Sequence, residues 1–372
     1  MKRIILSGGG TGGHIYPAIT IAREISKIED VEILFVGTPN GMEAEIVPKE
    51  GYRFIGIPAS GLARRLTFNN VKVLLKTVGS VFKAKKLLRQ FNPDVVIGTG
   101  GYVCGPILMA AVLSHIPTLI QEQNVVPGIT NRILGRFVDK VALGYAEAIS
   151  RFPYPEKCVY TGNPIRSDIV KTQRAESRKK LKIPEDSFMV LVTGGSRGAK
   201  TINQAMLGVH KYFKDKSGIY IHHVTGTLAY DEIVKSLGEV KDGRYGKGSH
   251  IIKYEYDMPS ALAAADLIVC RAGAISLAEL AAKELPSILI PYPYASEDHQ
   301  TFNARVFVAA GASKMIIDKY MTDKELIQDI SELCNNYETL ENMSESTKKL
   351  KKINAGADIA HLALELAERG KK

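Results

Sequence analysis

The sequence predicts an α/β protein built from two doubly wound, Rossmann-like domains in tandem, on three observations. Short apolar runs alternate with helical patterns along the chain, an opening strand runs into a glycine-rich turn and a helix, and that same opening recurs near residue 188. In the first half, residues 2–6, 31–36, 95–97, 118–120 and 141–143 read as strands, their apolar runs too continuous for a sheet with one wet face. Residues 188–193 restart the pattern, followed by Gly194-Gly195-Ser196-Arg197-Gly198-Ala199 and a helix from about Lys200. Further strands are expected at 220–224, 250–253, 267–270 and 287–290. The domain boundary is placed at Gly162-Asn163-Pro164, giving domains of residues 1–163 and 164–354. Two such sheets facing one another would form a cleft at the carboxyl ends of their strands, where ligands of open parallel sheets bind.

Composition narrows the class. A chain of 372 residues, 45% hydrophobic and 24% charged, is long enough for two cores and too apolar for disorder. Cys104, Cys158, Cys270 and Cys334 form no Cys-x-x-Cys pair, which argues against a disulfide scaffold and a zinc site and fits a reducing setting. The first apolar run breaks at Gly8, too soon for a signal peptide, and no stretch reaches the roughly 20 apolar residues of a spanning helix.

The net charge of +10 is uneven, residues 1–163 carrying 19 basic and 12 acidic side chains. Between Glu50 and Asp94 there is no acid, while Arg53, Arg64, Arg65, Lys72, Lys76, Lys83, Lys85, Lys86 and Arg89 lie there. Interleaved apolar residues, Phe82 among them, exceed what one buried helix stripe needs. This combination suits an anionic bilayer surface, and Arg64, Arg65, Lys72, Lys76, Phe82 and Lys83 are the docking candidates. An ordinary amphipathic helix over residues 71–90 with a solvated basic face explains the periodicity equally well. Nucleic acid is disfavoured, because the stretch lacks Tyr or Trp stacking platforms.

Gly8, Gly10 and Gly13 carry the dinucleotide spacing after a strand and before a helix. The second strand, however, runs into Gly37-Thr38-Pro39 where a nicotinamide enzyme would place an acid for the ribose. What remains is an anion cradle of Gly10, Thr11, Gly12 and Gly13 with His14 at its mouth, a side chain that titrates near working pH. Gly100-Gly101-Tyr102 and Glu122-Gln123-Asn124 end two further strands, so three polar strand ends are expected together. In the second half, Ser196 opens a helix and Arg166 could offer a bidentate guanidinium to a diphosphate. Glu279, on the first turns of a helix, could accept from vicinal hydroxyls, and His299 with Gln300 lies in a loop suited to sugar hydroxyls. No Walker lysine, nucleophile elbow, His-Glu-x-x-His or Asp-x-Asp metal pair occurs, so neither a metal nor a cofactor is expected.

These segments, in their order and spacing, resemble the MurG-type N-acetylglucosaminyltransferases of bacterial wall synthesis, which have the two-domain GT-B fold. The resemblance rests on residues 8–17, Gly100-Gly101-Tyr102, Glu122-Gln123-Asn124, 162–166, 194–199 and 271–279. It implies inverting transfer of N-acetylglucosamine from UDP-N-acetylglucosamine to the muramoyl 4-hydroxyl of undecaprenyl-linked lipid I, giving lipid II. By the same resemblance the second domain holds the donor, with Arg166 and Ser196 on the diphosphate, Glu279 on the ribose, Gln300 and His299 on the amino sugar, and the backbone at Glu255 on the uracil. Thr11, Gly12, Gly13 and Asn124 are further candidates for the donor. The first domain would take the acceptor along Gly10–Gly13, His14, Gly100, Gly101, Tyr102, Glu122 and Asn124, with His14, and Glu122 beside it, as catalytic groups. The last helix, about 355–372, would pack on that domain, and the enzyme would sit peripherally on the cytoplasmic face of the membrane, with other wall-synthesis or division proteins as possible partners. His299-Gln300 departs from the Gln-Gln of some family members. Transfer to another lipid such as diacylglycerol, or epimerisation of the UDP-sugar, is the alternative that the same cleft would serve.

Overall fold

The computed structural model describes residues 1–59 and 68–369, with side chains from residue 79 onward in the helix that begins at Phe68. The chain forms two compact units, Met1–Ile165 with Lys352–Lys372, and Arg166–Lys351. The first unit has a seven-stranded sheet of β1 (Lys2–Ser7), β2 (Val31–Gly37), β3 (Arg53–Gly56), β4 (Val95–Gly98), β5 (Thr118–Glu122), β6 (Lys140–Leu143) and β7 (Cys158–Tyr160), in the order β3-β2-β1-β4-β5-β6-β7. Every pairing in it is parallel.

Alternation along these strands supplies both faces of the sheet. Ile5, Leu34, Val96 and Ile120 bury against Ala84, Leu88 and Phe91 of the helix Phe68–Phe91 and against Ile107 and Leu108 of the helix Cys104–Val112. Ile4, Leu6, Phe35, Ile97 and Leu119 point the other way, onto Ile15, Ala18, Ile19 and Ala22 of the helix Gly12–Ile28. The helix Ala355–Arg369 completes that second face with Ile359, Ala360, Ala363 and Ala367. Its small residues let it lie close along Gly12–Ile28, and Gly356 has room for no side chain beyond a Cβ already 3.0 Å from Glu24. The chain therefore returns to its first domain at its end.

In the helix Phe68–Phe91, the spacing of Ser80, Ala84, Leu88 and Phe91 makes one buried stripe, while Phe82 stands 69% exposed on the far side beside exposed Lys83. Arg64 and Arg65 lie outside the described residues, as do the side chains of Lys72 and Lys76. No described helix is long and apolar enough to cross a membrane.

The second unit repeats the design with β8 (Phe188–Thr193), β9 (Ile219–Val224), β10 (Arg244–Tyr245), β11 (Ser249–Ile252), β12 (Leu267–Cys270), β13 (Ser287–Leu289) and β14 (Ser313–Met315), in the order β10-β11-β9-β8-β12-β13-β14. Only β10 runs antiparallel among these strands. Val190, Val192, Ile221, Val269 and Ile288 form its core with Ile202, Met206 and Val209 of the helix Lys200–Phe213. In each sheet the strand order reverses beside the opening strand, between β1 and β4 and between β8 and β12. Those two reversals are where crossover loops leave on opposite faces and open a crevice.

The terminal helix contributes to the first core a fully buried branched side chain at Ile359. Ile359→Ala leaves a cavity and should cost about 2–4 kcal/mol, read as an earlier urea or thermal transition of the first unit.

Candidate active site

At the first reversal the ends of β1, β4 and β5 stand side by side. Thr99 N donates to Ser7 O at 2.8 Å, which carries the β1–β4 ladder into the loops beyond it. Gly9 N then donates to Gly100 O at 3.3 Å, so the two glycine turns lie backbone against backbone. Gly100 and Gly101 have φ of +109° and +84°, and a Cβ on Gly101 would sit 2.4 Å from the Gly9 carbonyl oxygen. Side chains at these positions would force the turns apart.

His14 is held by this contact. Its Nδ1 lies 3.0 Å from Gly9 O, and Thr99 Oγ1 donates to its carbonyl at 2.7 Å. A carbonyl oxygen only accepts, so Nδ1 carries the proton of the neutral ring and the lone pair lies on Nε2. Nε2 is packed over Gly100, where a Cβ would come within 3.0 Å of it. Tyr102, 41% exposed, borders Gly10 on the same rim.

The glycine turn is a less open cradle than its sequence predicts, because Gly10 N–H already donates to Glu43 at 3.1 Å. The helix Gly12–Ile28 begins directly afterwards, with Thr11 extended at its N-cap and no side-chain cap. Gly12 and Gly13 therefore bring the positive end of a 17-residue helix to this loop.

Glu122 is corrected from a catalytic to a supporting position. It is 1% exposed and its carboxylate accepts from Asn124 N at 2.9 Å, Gly128 N at 3.1 Å and Asn131 Nδ2 at 2.9 Å. Burial pushes its carboxyl above the ordinary range against the pull of these donors. Such a group shapes the loop after β5. Asn124 Nδ2 also donates to Glu122, at 3.2 Å. Behind them a buried amide network, Gln123 to Thr99 O at 2.6 Å, Gln121 to Asn163 at 2.9 Å and Asn163 to Gln123 O at 2.9 Å, ties β4, β5 and the 162–164 bend together.

The second reversal opens a cavity of about 770 Å³ at the ends of β8 and β12, lined by Gly194, Gly195, Arg197, Arg271, Glu279 and Gln300 among others. That volume is in the range of small-molecule sites. Within the turn, Gly195 N accepts nothing but donates to Thr193 Oγ1 at 3.2 Å, and Gly198 N donates to Gly195 O at 2.9 Å. The helix Lys200–Phe213 starts here, and Arg197 and Lys200 add two exposed cations that the motif reading did not single out. Ser196 is exposed between the cavity-lining Gly195 and Arg197.

Arg271 forms the floor. Its guanidinium pairs with Asp318, donates to Thr201 Oγ1 at 3.1 Å and Ile290 O at 3.1 Å, and lies 5.5 Å from the Tyr292 ring centre. Thr201 in turn donates to Asp318 at 2.6 Å. Asp318 comes from the end of the chain's last strand region, a contact that no local spacing announces.

Glu279 lies on the helix Ala274–Ala282 facing the cavity, and burial pushes its carboxyl up to about 7 although the nearby Arg166 pulls it down. Arg166 itself is engaged fork to fork by Asp168, with Nε to Oδ1 at 3.0 Å, and does not line the cavity. Gln300 accepts two backbone N–H groups on Oε1, from Ala272 at 3.1 Å and Tyr292 at 2.9 Å, which turns its amide Nε2 into the group that can donate elsewhere. His299 hydrogen-bonds Ser296 O through Nδ1 at 2.7 Å and lies beyond the cavity lining. The side chain of Glu255 is held in place: it meets His222 Nε2 at 2.9 Å, accepts from Asp257 N at 2.8 Å, and these partners help hold its carboxyl below the ordinary range.

Two glycine-opened crevices, one with a histidine lone pair and one with cations around a cavity, define a group-transfer enzyme of the doubly wound class. The Glycosyltransferase family 28 N-terminal domain matches residues 4–143 and the family's C-terminal domain matches residues 189–360, and the chain belongs to this family. It is 47% identical over 359 residues to the UDP-N-acetylglucosamine--N-acetylmuramyl-(pentapeptide) pyrophosphoryl-undecaprenol N-acetylglucosamine transferase of Desulforamulus reducens, covering 96% of each chain. The Bacillus cereus protein of that name, numbered 1, is 44% identical over 94% of each chain. Among solved structures, MurG of Acinetobacter baumannii superposes with a TM-score of 0.79 at 27% identity, over 98% of this chain and 100% of that one. A UDP-bound MnaA of S. aureus, at 15% identity and a TM-score of 0.69, shares the fold alone.

The raised Glu279 carboxyl has a stability signature. The folded state holds this proton between its unfolded range near 4.5 and about 7, so stability is lost as pH rises through that window. Glu279→Gln removes the cost of burying the ion and should stabilise the second unit by about 1–3 kcal/mol at pH 8 and by little at pH 5, measured by urea unfolding.

Proposed function

We propose that this chain transfers N-acetylglucosamine from UDP-N-acetylglucosamine to the 4-hydroxyl of the muramoyl sugar of undecaprenyl-linked lipid I, making lipid II with inversion at the anomeric carbon. The observation that carries the reading is 47% identity over 96% of the chain to an enzyme of that name, together with a histidine held through Nδ1 by Gly9 O at the first crevice. The first domain takes the lipid-linked acceptor along Gly10–Gly13, His14, Gly100, Gly101, Tyr102 and Asn124. The second takes the donor.

In this reading the donor diphosphate lies at the start of the helix Lys200–Phe213, next to Ser196, with Arg166 released from Asp168 to reach it. Ionised Glu279 accepts from the ribose hydroxyls, Gln300 Nε2 donates to the amino sugar, with His299 beside it, and the backbone at Glu255 reads the uracil edge. His14 Nε2 takes the proton of the acceptor hydroxyl as its oxygen attacks the anomeric carbon. The bond from that carbon to the diphosphate oxygen breaks, and the negative charge gathering on UDP is stabilised by the helix end and the cations around it. UDP leaves, and His14 returns its proton to solvent.

A polyprenyl acceptor stays in its bilayer, so the enzyme must come to the surface. The acid-free stretch from Arg53 to Arg89 supplies that attraction, with Arg64, Arg65, Lys72, Lys76 and Lys83 against anionic headgroups and exposed Phe82 entering the interface. Changing Lys72, Lys76 and Lys83 together to Gln should weaken sedimentation with phosphatidylglycerol vesicles about 10²-fold, leaving neutral vesicles unaffected.

The test is UDP release from UDP-N-acetylglucosamine with and without a lipid I analogue. Acceptor-dependent release with a new disaccharide supports the transferase; release without acceptor would instead mean an epimerase or hydrolase. His14→Ala should lower kcat about 10²–10⁴-fold with the KM for UDP-N-acetylglucosamine within about threefold, and unchanged turnover would remove His14 from the base position.

A further inference from the structure

Glu43 is a buried carboxylate with no part in the transfer as described. It is 1% exposed and opens the helix Glu43–Lys49, after β2. Its Oε1 accepts from Thr38 N at 2.9 Å and Thr38 Oγ1 at 2.6 Å, and its Oε2 accepts from Gly10 N at 3.1 Å. The side chain fills the space that a Cβ would need at Gly9, Gly37 and Gly41, so three glycines have their backbones laid around this one carboxylate. Burial pushes its carboxyl up, but the donors from Thr38, its own N–H and Gly10 outweigh that and hold it below the ordinary range. Its carboxylate oxygens are the acceptors for Thr38 and Gly10.

The consequences run to His14 through one peptide unit. Gly9 N is held by Gly100 O, Gly9 O is the acceptor for His14 Nδ1, and the next N–H, that of Gly10, is held by Glu43. The Gly9–Gly10 peptide is thus fixed at both its carbonyl and its N–H, and that carbonyl, nearer to His14 Nδ1 at 3.0 Å than Thr11 Oγ1 at 3.3 Å, favours the proton on that nitrogen. Without the Glu43 acceptor, Gly10 would seek another partner and the peptide could turn; a glycine pair has little steric resistance to turning.

We propose that Glu43 is a positioning residue for the transfer reaction, pinning the Gly9–Gly10 peptide so that His14 presents Nε2 to the acceptor hydroxyl. This rests on the reading of His14 as the base, and it assigns to the acid after the second strand a part that neither the glycine motif nor the donor site supplies.

Length and charge can be separated. Glu43→Gln keeps the volume but sets an amide donor against N–H groups that need an acceptor, so a role of filling space predicts near-normal turnover. The positioning role predicts a kcat lowered about 10–10²-fold with the KM for UDP-N-acetylglucosamine within about threefold. Thr38→Val removes only the hydroxyl bond to Glu43, is the milder variant should Glu43→Gln fold poorly, and should lower kcat by a few-fold.

The decisive measurement is a double-mutant cycle on kcat, using UDP-N-acetylglucosamine and a soluble lipid I analogue, with UDP binding by calorimetry as the check that the second unit is intact. If Glu43 acts through His14, then Glu43→Gln and Thr38→Val cause no further loss in a His14→Ala background. Losses that multiply instead overturn the proposal, as does a Glu43→Gln enzyme with full kcat. The base reading fails separately, on the His14→Ala arm alone, if that variant turns over normally.

Discussion

The contact on which the first domain's chemistry depends is the laying of Gly100-Gly101 against Gly9. It is a backbone-to-backbone approach, made possible by two positive-φ glycines and sealed by Gly9 N to Gly100 O at 3.3 Å. Two βα turns from neighbouring strands are otherwise independent loops. Here they become one surface, because the parallel register of β1 and β4 ends both strands level, Ser7 opposite Gly98. The histidine is then oriented by a carbonyl whose direction the turn has already set, so the placement of His14 is inherited from the sheet. Placing a proton acceptor on such a rigid junction keeps the ordering cost in folding and out of the reaction.

The second domain solves a different electrostatic problem at the equivalent place. A dianionic diphosphate needs positive potential, yet cations left alone in an empty cavity repel one another and hold water. The floor cation, Arg271, is neutralised by Asp318 and held by backbone carbonyls, so it stiffens the cavity more than it charges it. The helix end and the exposed Arg197 and Lys200 supply potential from the rim, where water screens them until a ligand displaces it. Glu279 adds the opposite term, a carboxyl that burial pushes up to about 7.

How much of this is written locally in the chain depends on burial. Runs such as Ile4-Ile5-Leu6 and Val190-Leu191-Val192 are covered on both faces, and their unbroken hydrophobicity marks them as inner strands without reference to anything distant. The four strands with no such signal, Arg53–Gly56, Cys158–Tyr160, Arg244–Tyr245 and Ser313–Met315, are the four outer edges of the two sheets. An edge strand is half covered, two to four residues long here, and takes its conformation from its neighbour's ladder. The site divides in the same way. Glycines that need positive φ, and the His14 that follows them, are visible as spacing. The partners of acids are not: Glu122 reads as chemistry and is held by Asn124, Gly128 and Asn131, while Asp318 and Glu43, which no motif marks, meet donors in the two crevices. Which hydrogen-bond donors meet a carboxylate is a property of the folded topology.

A common rule emerges from those acids. In both domains a carboxylate is held near the glycine turn by donors from more than one element: Glu43 by Gly10 N–H and Thr38, Asp318 by the Thr201 hydroxyl and the Arg271 guanidinium. Glycine turns are permissive, and a permissive loop at a reaction centre costs rate whenever it wanders. In the first domain the buried Glu43 carboxylate gives the Gly10 N–H a fixed partner. The glycines thereby keep their close backbone approach with less of their freedom, and the negative charges behind the turns are met by donors.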